Sequence, residues 1–278
     1  MNITISAEST IDLPKELLKQ YQINTVPFTI LLGDHTVLDG EVPTESIFDY
    51  VTQNKVLPKT SAVNEYQYVE HFTKLLENAD AAIHITLSKE MSCAYTNAVK
   101  ASKQFNNVYI IDSRSLSTGI ALLAIKASKM AQGGKNAEEI IKQITSDTLK
   151  VQASFVINKL DYLKKGGRCS SLALLGANLL KIRPQIVVRN GKMVSGKKYR
   201  GDFNVVVKNF CNDTLKEFPN QDKTLAFVTY TTASDIAVNY ADEALKNAGF
   251  KDIYHTRAGG TIASHCGPNT LGILFLTI

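Results

Sequence analysis

Ala82-Ile83-His84-Ile85-Thr86-Leu87 runs straight into Ser88-Lys89-Glu90-Met91-Ser92-Cys93-Ala94-Tyr95, and Val108-Tyr109-Ile110-Ile111-Asp112 follows. The first run carries no formal charge and reads as a buried strand. The hydroxyl-rich segment after it turns into a helix reaching about Lys103, and Val108 to Asp112 is the next strand. A strand, a helix and a strand at this spacing make a βαβ unit, which predicts a mostly parallel sheet. In open sheets of this kind ligands bind outside the carboxyl ends of the strands, and Ser92 and Cys93 stand there, at a helix start.

The same alternation extends in both directions. Toward the N-terminus, Ile3 to Ser6 reads as a strand, Pro14 to Tyr21 as a helix, and Asn24 to Leu32 as a second extended run closed by Gly33-Asp34. Helices are expected from Pro43-Thr44 through Thr52 and from Asn64 to Leu76, with the hydroxyl pair Thr60-Ser61 between them. Beyond Asp112, helices over roughly Ser117 to Ala131 and Ala137 to Lys150 complete a first domain, 1–150. The second, 151–278, opens on the strand Gln152 to Ile157. It continues with a hairpin about Asn190-Gly191, helices at Asn204 to Glu217 and Asp235 to Ala248, and strands at Leu225 to Tyr230, Ile253 to His255 and Ile273 to Ile278. Hairpin and alternation together predict a mixed α/β domain.

Between Tyr162 and Gly201 lie ten basic residues and no Asp or Glu. The whole chain has 31 basic and 26 acidic residues, a net charge of +5, so the rest holds 21 against 26 and sums to −5. Inside the stretch, Cys169 to Leu180 is uncharged, and Leu172 to Leu180 reads as an apolar helix. A positive field beside apolar surface suits a ligand with a negative head and a hydrocarbon body; a core helix between solvated basic loops fits the same residues. Nucleic acid is poorly supported, since only Tyr162 and Tyr199 are aromatic there and the chain has no Trp.

At 278 residues with 44% hydrophobic and 21% charged composition, the chain has the make-up of a globular protein. No basic residue precedes an apolar stretch at the N-terminus, and no apolar run approaches the roughly 20 residues of a membrane helix, so neither a secretory signal nor stable membrane insertion is expected. Four scattered cysteines without a Cys-x-x-Cys pair point to a reducing, cytoplasmic setting, and no His or Cys pair has zinc-ligand spacing, so no metal is expected. Phosphate-loop, dinucleotide-binding, zinc-protease and nucleophile-elbow motifs are absent, and with them the common nucleotide enzymes. Thr60-Ser61, taken alone, suit a cap or turn, as Ser92-Cys93 do; His265, in the turn-forming Ser264-His265-Cys266-Gly267-Pro268, suits a structural role; Arg168, after the flexible Gly166-Gly167, suits a surface. His265 could also reach a cleft between domains, and Arg168 could supply a cation to the same cleft.

Taken in order, Glu8-Ser9-Thr10-Ile11-Asp12-Leu13, Lys59-Thr60-Ser61, Ser88 to Tyr95, Ile111-Asp112-Ser113, Leu163-Lys164-Lys165-Gly166-Gly167-Arg168, Ile182-Arg183-Pro184 and His265-Cys266-Gly267-Pro268-Asn269-Thr270-Leu271-Gly272 resemble the DegV family of bacterial lipid-binding proteins over essentially the whole chain. The resemblance implies an α/β protein of two domains holding one long-chain fatty acid in a tunnel between them. It implies a subunit without catalysis of its own and without a cofactor, which presents the acyl carboxylate to a separate ATP-using fatty acid kinase subunit and so supplies acyl phosphate for phospholipid synthesis. Carried over by motif, Thr60, Ser61, Ser92 and Cys93 lie at the carboxylate, with Arg168 and His265 in the polar network behind it. Leu172, Leu175 and Leu179 would line the tunnel. Glu8 stands where Asp is usual, Cys93-Ala94 where Gly-Thr is common, and Asn269 in place of a glycine. The competing reading is an acyl-hydrolase with Ser92 or Cys93 as nucleophile and His265 as base.

Overall fold

A computed structural model describes residues 2–168 and 182–278. Leu172, Leu175 and Leu179, the expected tunnel wall, lie outside the described residues. The first sheet joins β1 (Ile3–Glu8), β2 (Ile23–Val26), β6 (Ala81–Thr86) and β7 (Val108–Asp112) in the order β2-β1-β6-β7, parallel throughout. Helices α3 (Glu65–Leu76) and α4 (Ala94–Ser102) pack on its β6 and β7 strands. Asn64 and Gln67 form a reciprocal capping box at the start of α3, which places that helix boundary where its side-chain chemistry dictates.

The second sheet is mixed, in the order β10-β9-β8-β13-β11-β12, from β8 (Val151–Ile157), β9 (Arg183–Arg189), β10 (Lys192–Tyr199), β11 (Gln221–Tyr230), β12 (Asp252–Arg257) and β13 (Thr270–Thr277). Only β11 and β12 run parallel within it. Alternate residues divide between two cores. Phe227, Leu274 and Leu276 face the main core shared with the first sheet, whereas Val228, Ile273 and Phe275 pack under α8 (Phe203–Glu217) and α9 (Asp235–Ala248).

Helix α5 (Thr118–Gln132) joins the two sheets. From Thr118 to Ile125 every residue is buried, and the helix touches β1 and β2 of one sheet and β8, β11 and β13 of the other. A helix apolar all round must be covered all round, and only a position between two layers achieves this. After α6 (Ala137–Asp147) the chain enters the second sheet, yet the main apolar core continues across from Ile5 and Ile83 to Phe155, Phe227 and Leu274.

Two readings are corrected. Asn24 to Leu32 is not one run: Pro27, which has no N–H to give a ladder, separates β2 from β3 (Thr29–Leu32). Strand β3 leaves the first sheet and pairs with β4 (His35–Leu38) and β5 (Lys59–Ser61) in a small antiparallel sheet. The segment around His265 is not a turn but helix α10 (Gly260–Cys266), ended by Gly267 at φ +77. Asn269 takes φ +53, a left-handed conformation that asparagine tolerates where glycine would be the default.

Glu8, fully buried at the end of β1, accepts from Tyr68 Oη at 2.6 Å, from the backbone N–H of Leu87 at 2.8 Å and from His84 Nε2 at 3.3 Å. Glu8→Ala would leave these donors facing each other without an acceptor, at about 1–3 kcal/mol for each unsatisfied group. The expected loss is several kcal/mol of stability, read from the urea midpoint.

Candidate functional site

A cavity of about 250 Å³ lies between the two halves of the molecule. One wall comes from the first half: Phe28, between β2 and β3; Thr60 and Ser61 on β5; Leu87, Met91, Ser92 and Cys93 between β6 and α4; and Leu116 ahead of α5. The other comes from the second: Arg168, just after α7 (Asp161–Gly166); Met193 on β10; and Thr261, Ile262, His265 and Cys266 on α10. Thr60, Ser61, Ser92, Cys93, Arg168 and His265, scattered over more than two hundred residues of sequence, all line this one cavity. A smaller apolar hollow of about 30 Å³ shares Leu116, Ile262 and Cys266 with it and reaches Phe155 and Leu274.

Local structure explains how each group is placed. Residues 88–92 form a tight turn in which Met91 and Ser92 donate their N–H groups to the Ser88 carbonyl. That turn is pinned by the β9–β10 hairpin, whose Gly191, at φ +80, accepts a 2.7 Å hydrogen bond from Ser88 Oγ. A β-carbon on Gly191 would stand 2.7 Å from the same oxygen, so the hairpin glycine serves the loop of the other domain as well as its own turn. Ser92 Oγ accepts from the N–H of Ala94 at 3.2 Å, and Cys93 begins α4 in an ordinary helical conformation, φ −77 and ψ 0, that needs no glycine. Its exposed side chain stands at the cavity wall without disturbing the helix start.

Thr60 Oγ1 and His265 Nε2 are 2.8 Å apart, a hydrogen bond spanning the two halves. Burial, with the Arg168 charge beside it, holds His265 down at about 4, so the ring is neutral at neutral pH. Its Nδ1 is buried with no hydrogen-bond partner among the described residues. Gly166 lies against the ring: a β-carbon there would stand 2.6 Å from Nδ1. Gly166-Gly167 is therefore no flexible spacer. Gly166 closes α7 against the imidazole, and Gly167, at φ +69, is the left-handed residue that ends the helix. Arg168 then bends back, donating to the Gly166 carbonyl at 2.6 Å.

Thr261 was not found from sequence. It is nearly fully buried, and its Oγ1 has no hydrogen-bond partner among the described residues. It stands one helical turn before His265 on α10, an i,i+4 relation that would have marked it had Gly260–Cys266 been read as a helix. The basic stretch also looks different once folded. Glu90, Glu217 and Asp213, none of them within it, pair with Lys192 at 3.2 Å, Arg189 at 2.9 Å and Lys197 at 3.3 Å. Three of the nine described basic residues of the stretch are thus met by acids that folding brings in, and of those nine Arg168 alone lines the cavity.

Among the described residues no group of His, Cys, Asp and Glu could hold a metal ion, and no helix is long and apolar enough to cross a membrane. The family model for DegV, described as a family of uncharacterised proteins, matches residues 2–277. A fatty acid-binding protein from Thermotoga maritima is 28% identical over 280 residues, covering 98% of this chain and 96% of that one. The crystal structure of DegV, a fatty acid binding protein from Bacillus subtilis, aligns over 100% of both chains with a TM-score of 0.87 at 26% identity. A DegV family protein from Thermus thermophilus, 24% identical, shares the fold over 100% of both chains with a TM-score of 0.91. With the fold shared by both solved structures and the family model matching nearly from end to end, the chain belongs to the DegV family.

Proposed function

We propose that the cavity holds one long-chain fatty acid, with its carboxylate among Thr60, Ser92 and the N–H groups at the start of α4 and its hydrocarbon against Leu87, Met91, Leu116, Met193 and Ile262. The observation that carries this reading is the convergence of hydroxyls, a neutral imidazole and one arginine on a single cavity whose remaining walls are apolar. The fatty acid binding protein DegV of Bacillus subtilis shares the fold over its full length, and a fatty acid-binding protein of Thermotoga maritima is similar in sequence over 96% of its own. Burying about 14 methylenes at roughly 0.8 kcal/mol each offers on the order of 11 kcal/mol, of which lost translational and chain freedom take back a large part. The carboxylate cannot leave water unless donors replace it.

The imidazole sets the direction of the first donor. An N–H at Nδ1 would find no acceptor among the described residues, so the proton is assigned to Nε2, which then donates to Thr60 Oγ1. Thr60 is then left with its own O–H to give, and it gives it to the ligand. Ser92, already accepting from Ala94, likewise has its hydroxyl hydrogen to offer. Neutral donors hold an oxygen without a tight ion pair, which suits a carboxylate that must next attack a phosphoryl group. On this reading the protein presents its ligand to a separate ATP-dependent kinase subunit, and the resulting acyl phosphate enters phospholipid synthesis. The exposed Lys198 and Arg200 are the proposed contacts for an acidic face of that subunit. Hydrolysis by Ser92 or Cys93 is less well supported, because His265 Nε2 is engaged by Thr60 and an imidazole held near 4 is a weak base at neutral pH.

Native mass spectrometry followed by organic extraction should release one fatty acid per chain; a ligand-free protein that takes up none would refute the assignment. Thr60→Ala with Ser92→Ala should lower fatty acid affinity by roughly tenfold or more for each donor removed, while stability falls only by the lost Thr60–His265 hydrogen bond, about 1–3 kcal/mol. Reversing Lys198 and Arg200 should weaken phosphorylation by the kinase subunit and leave lipid binding intact. His265 also gives a pH signature. Its folded value lies below the ordinary 6.5, so the stability tied to the neutral ring is present above pH 6.5 and is lost as pH falls through about 4, amounting to roughly 3 kcal/mol. His265→Gln should flatten that part of the acid-stability curve, measured by urea denaturation between pH 7 and 4.

A further inference from the structure

The hydrogen-bond ladder between β1 and β6 ends at the pair Ala7 and Ile85, and after Glu8 the chain turns away through Ser9–Ile11. Beyond that pair the Leu87 N–H goes not to β1 backbone but to the Glu8 side chain, whose Oε2 accepts it at 2.8 Å. The other oxygen, Oε1, accepts from Tyr68 Oη on α3 at 2.6 Å and from His84 Nε2 on β6 at 3.3 Å. Ser6 Oγ lies 2.9 Å from His84 Nδ1 and 2.6 Å from His71 Nε2, so the second imidazole is braced in turn. Ser6, Glu8, Tyr68 and His84 are fully buried, and none of these five residues lines the cavity.

Such a set of polar groups is costly to bury, and an apolar set of the same size would hold β1 against α3 as well. What the polar set alone supplies is an acceptor for the Leu87 N–H. On the other flank the Ser88 N–H donates to the Ser115 carbonyl at 3.0 Å, so the chain is gripped from both sides as it leaves β6. Ser92 follows four residues later, its N–H closing on the Ser88 carbonyl at 3.1 Å. We propose that Glu8 is a positioning residue for the cavity: by holding the Leu87 N–H it fixes where the chain leaves β6, and with it the place of the Ser92 hydroxyl. Apolar packing alone would let the end of the strand slide. A slide here separates a buried N–H from a buried carboxyl oxygen and leaves both without partners. Glu8 itself meets no ligand; it acts through the turn.

The effect on ligand affinity rests on the cavity being the carboxylate site; the hold of Glu8 on the turn does not. In Glu8→Gln an amide nitrogen replaces one of the two acceptor oxygens, so the side chain can no longer serve Leu87, Tyr68 and His84 together. Hydrogen exchange of the ligand-free full-length protein should then be faster over residues 87–92 than in the wild type, with β7 keeping its protection. Unchanged exchange over 87–92 would overturn the proposal. Affinity for a long-chain fatty acid should fall by roughly three- to tenfold in Glu8→Gln, and affinity for the alcohol of the same chain length, which has no carboxylate, should stay as it was. Equal losses for acid and alcohol would mean a merely structural role and overturn it. In a Ser92→Ala background Glu8→Gln should cost no further affinity, because the group it positions is gone; the same loss in both backgrounds would overturn it as well. Should Glu8→Gln fail to fold, Tyr68→Phe removes one hydrogen bond to the carboxyl group and keeps the ring. It is expected to give the same three changes on a smaller scale, and their absence there would equally overturn the proposal. A wild-type protein that takes up neither acid nor alcohol would sink the preceding reading and leave the exchange result to decide on Glu8.

Discussion

A helix buried on every side over its first eight residues fixes the geometry of everything around it. Because α5 is buried from Thr118 to Ile125, it has to be covered by a layer on each side, and the two sheets are the layers. The main apolar core therefore belongs to both halves of the chain. This lets the interface between them carry a cavity with defined walls, since the segments facing each other across it rest on a common support. Leu116, immediately before this helix, is itself part of the cavity wall and of the smaller hollow beyond.

Polar contacts then align the two halves finely. Ser88 to the Gly191 carbonyl, Thr60 to His265, Thr44 to the Ala258 carbonyl and Asp12 to the Gly259 N–H each join residues more than a hundred positions apart. They cluster on the elements that frame the cavity. Each is a directed interaction with a narrow range of good geometry, so together they restrict the register of α10 and the β9–β10 hairpin against the first domain more tightly than apolar packing does. The polar groups at the cavity are correspondingly carried on supported backbone: Thr60 on a strand, Ser92 in a turn closed by its own hydrogen bonds, and His265 packed against Gly166.

The fold was legible where one physical signal dominated. The βαβ pattern around Ala82 to Asp112, the Asn-Gly hairpin and Asn64 at the head of α3 each act through nearest neighbours, and the elements stand within a few residues of where those signals put them. The small β4-β3-β5 sheet was not legible. Its strands have only three or four residues, and its formation depends on Pro27 redirecting the chain rather than on any periodicity. Helix α10 was hidden for a related reason: two glycines at one end and Gly-Pro at the other resemble a turn, and its burial among β3, β5, α2 (Thr44–Asn54) and α7 is a tertiary fact.

Sequence by itself determined the α/β class and the family, and it singled out the six residues proposed for the carboxylate site, because hydroxyls at strand-to-helix turns and the ordered motifs are local properties of the chain. Tertiary structure alone decided that those six share one cavity, that the basic stretch is met by Glu90, Asp213 and Glu217, that Thr261 joins the wall, and that Glu8 holds the Leu87 N–H. Each of these depends on distances between residues far apart in the chain. Such distances follow from the packing of two sheets about one buried helix, a collective outcome that no single segment encodes.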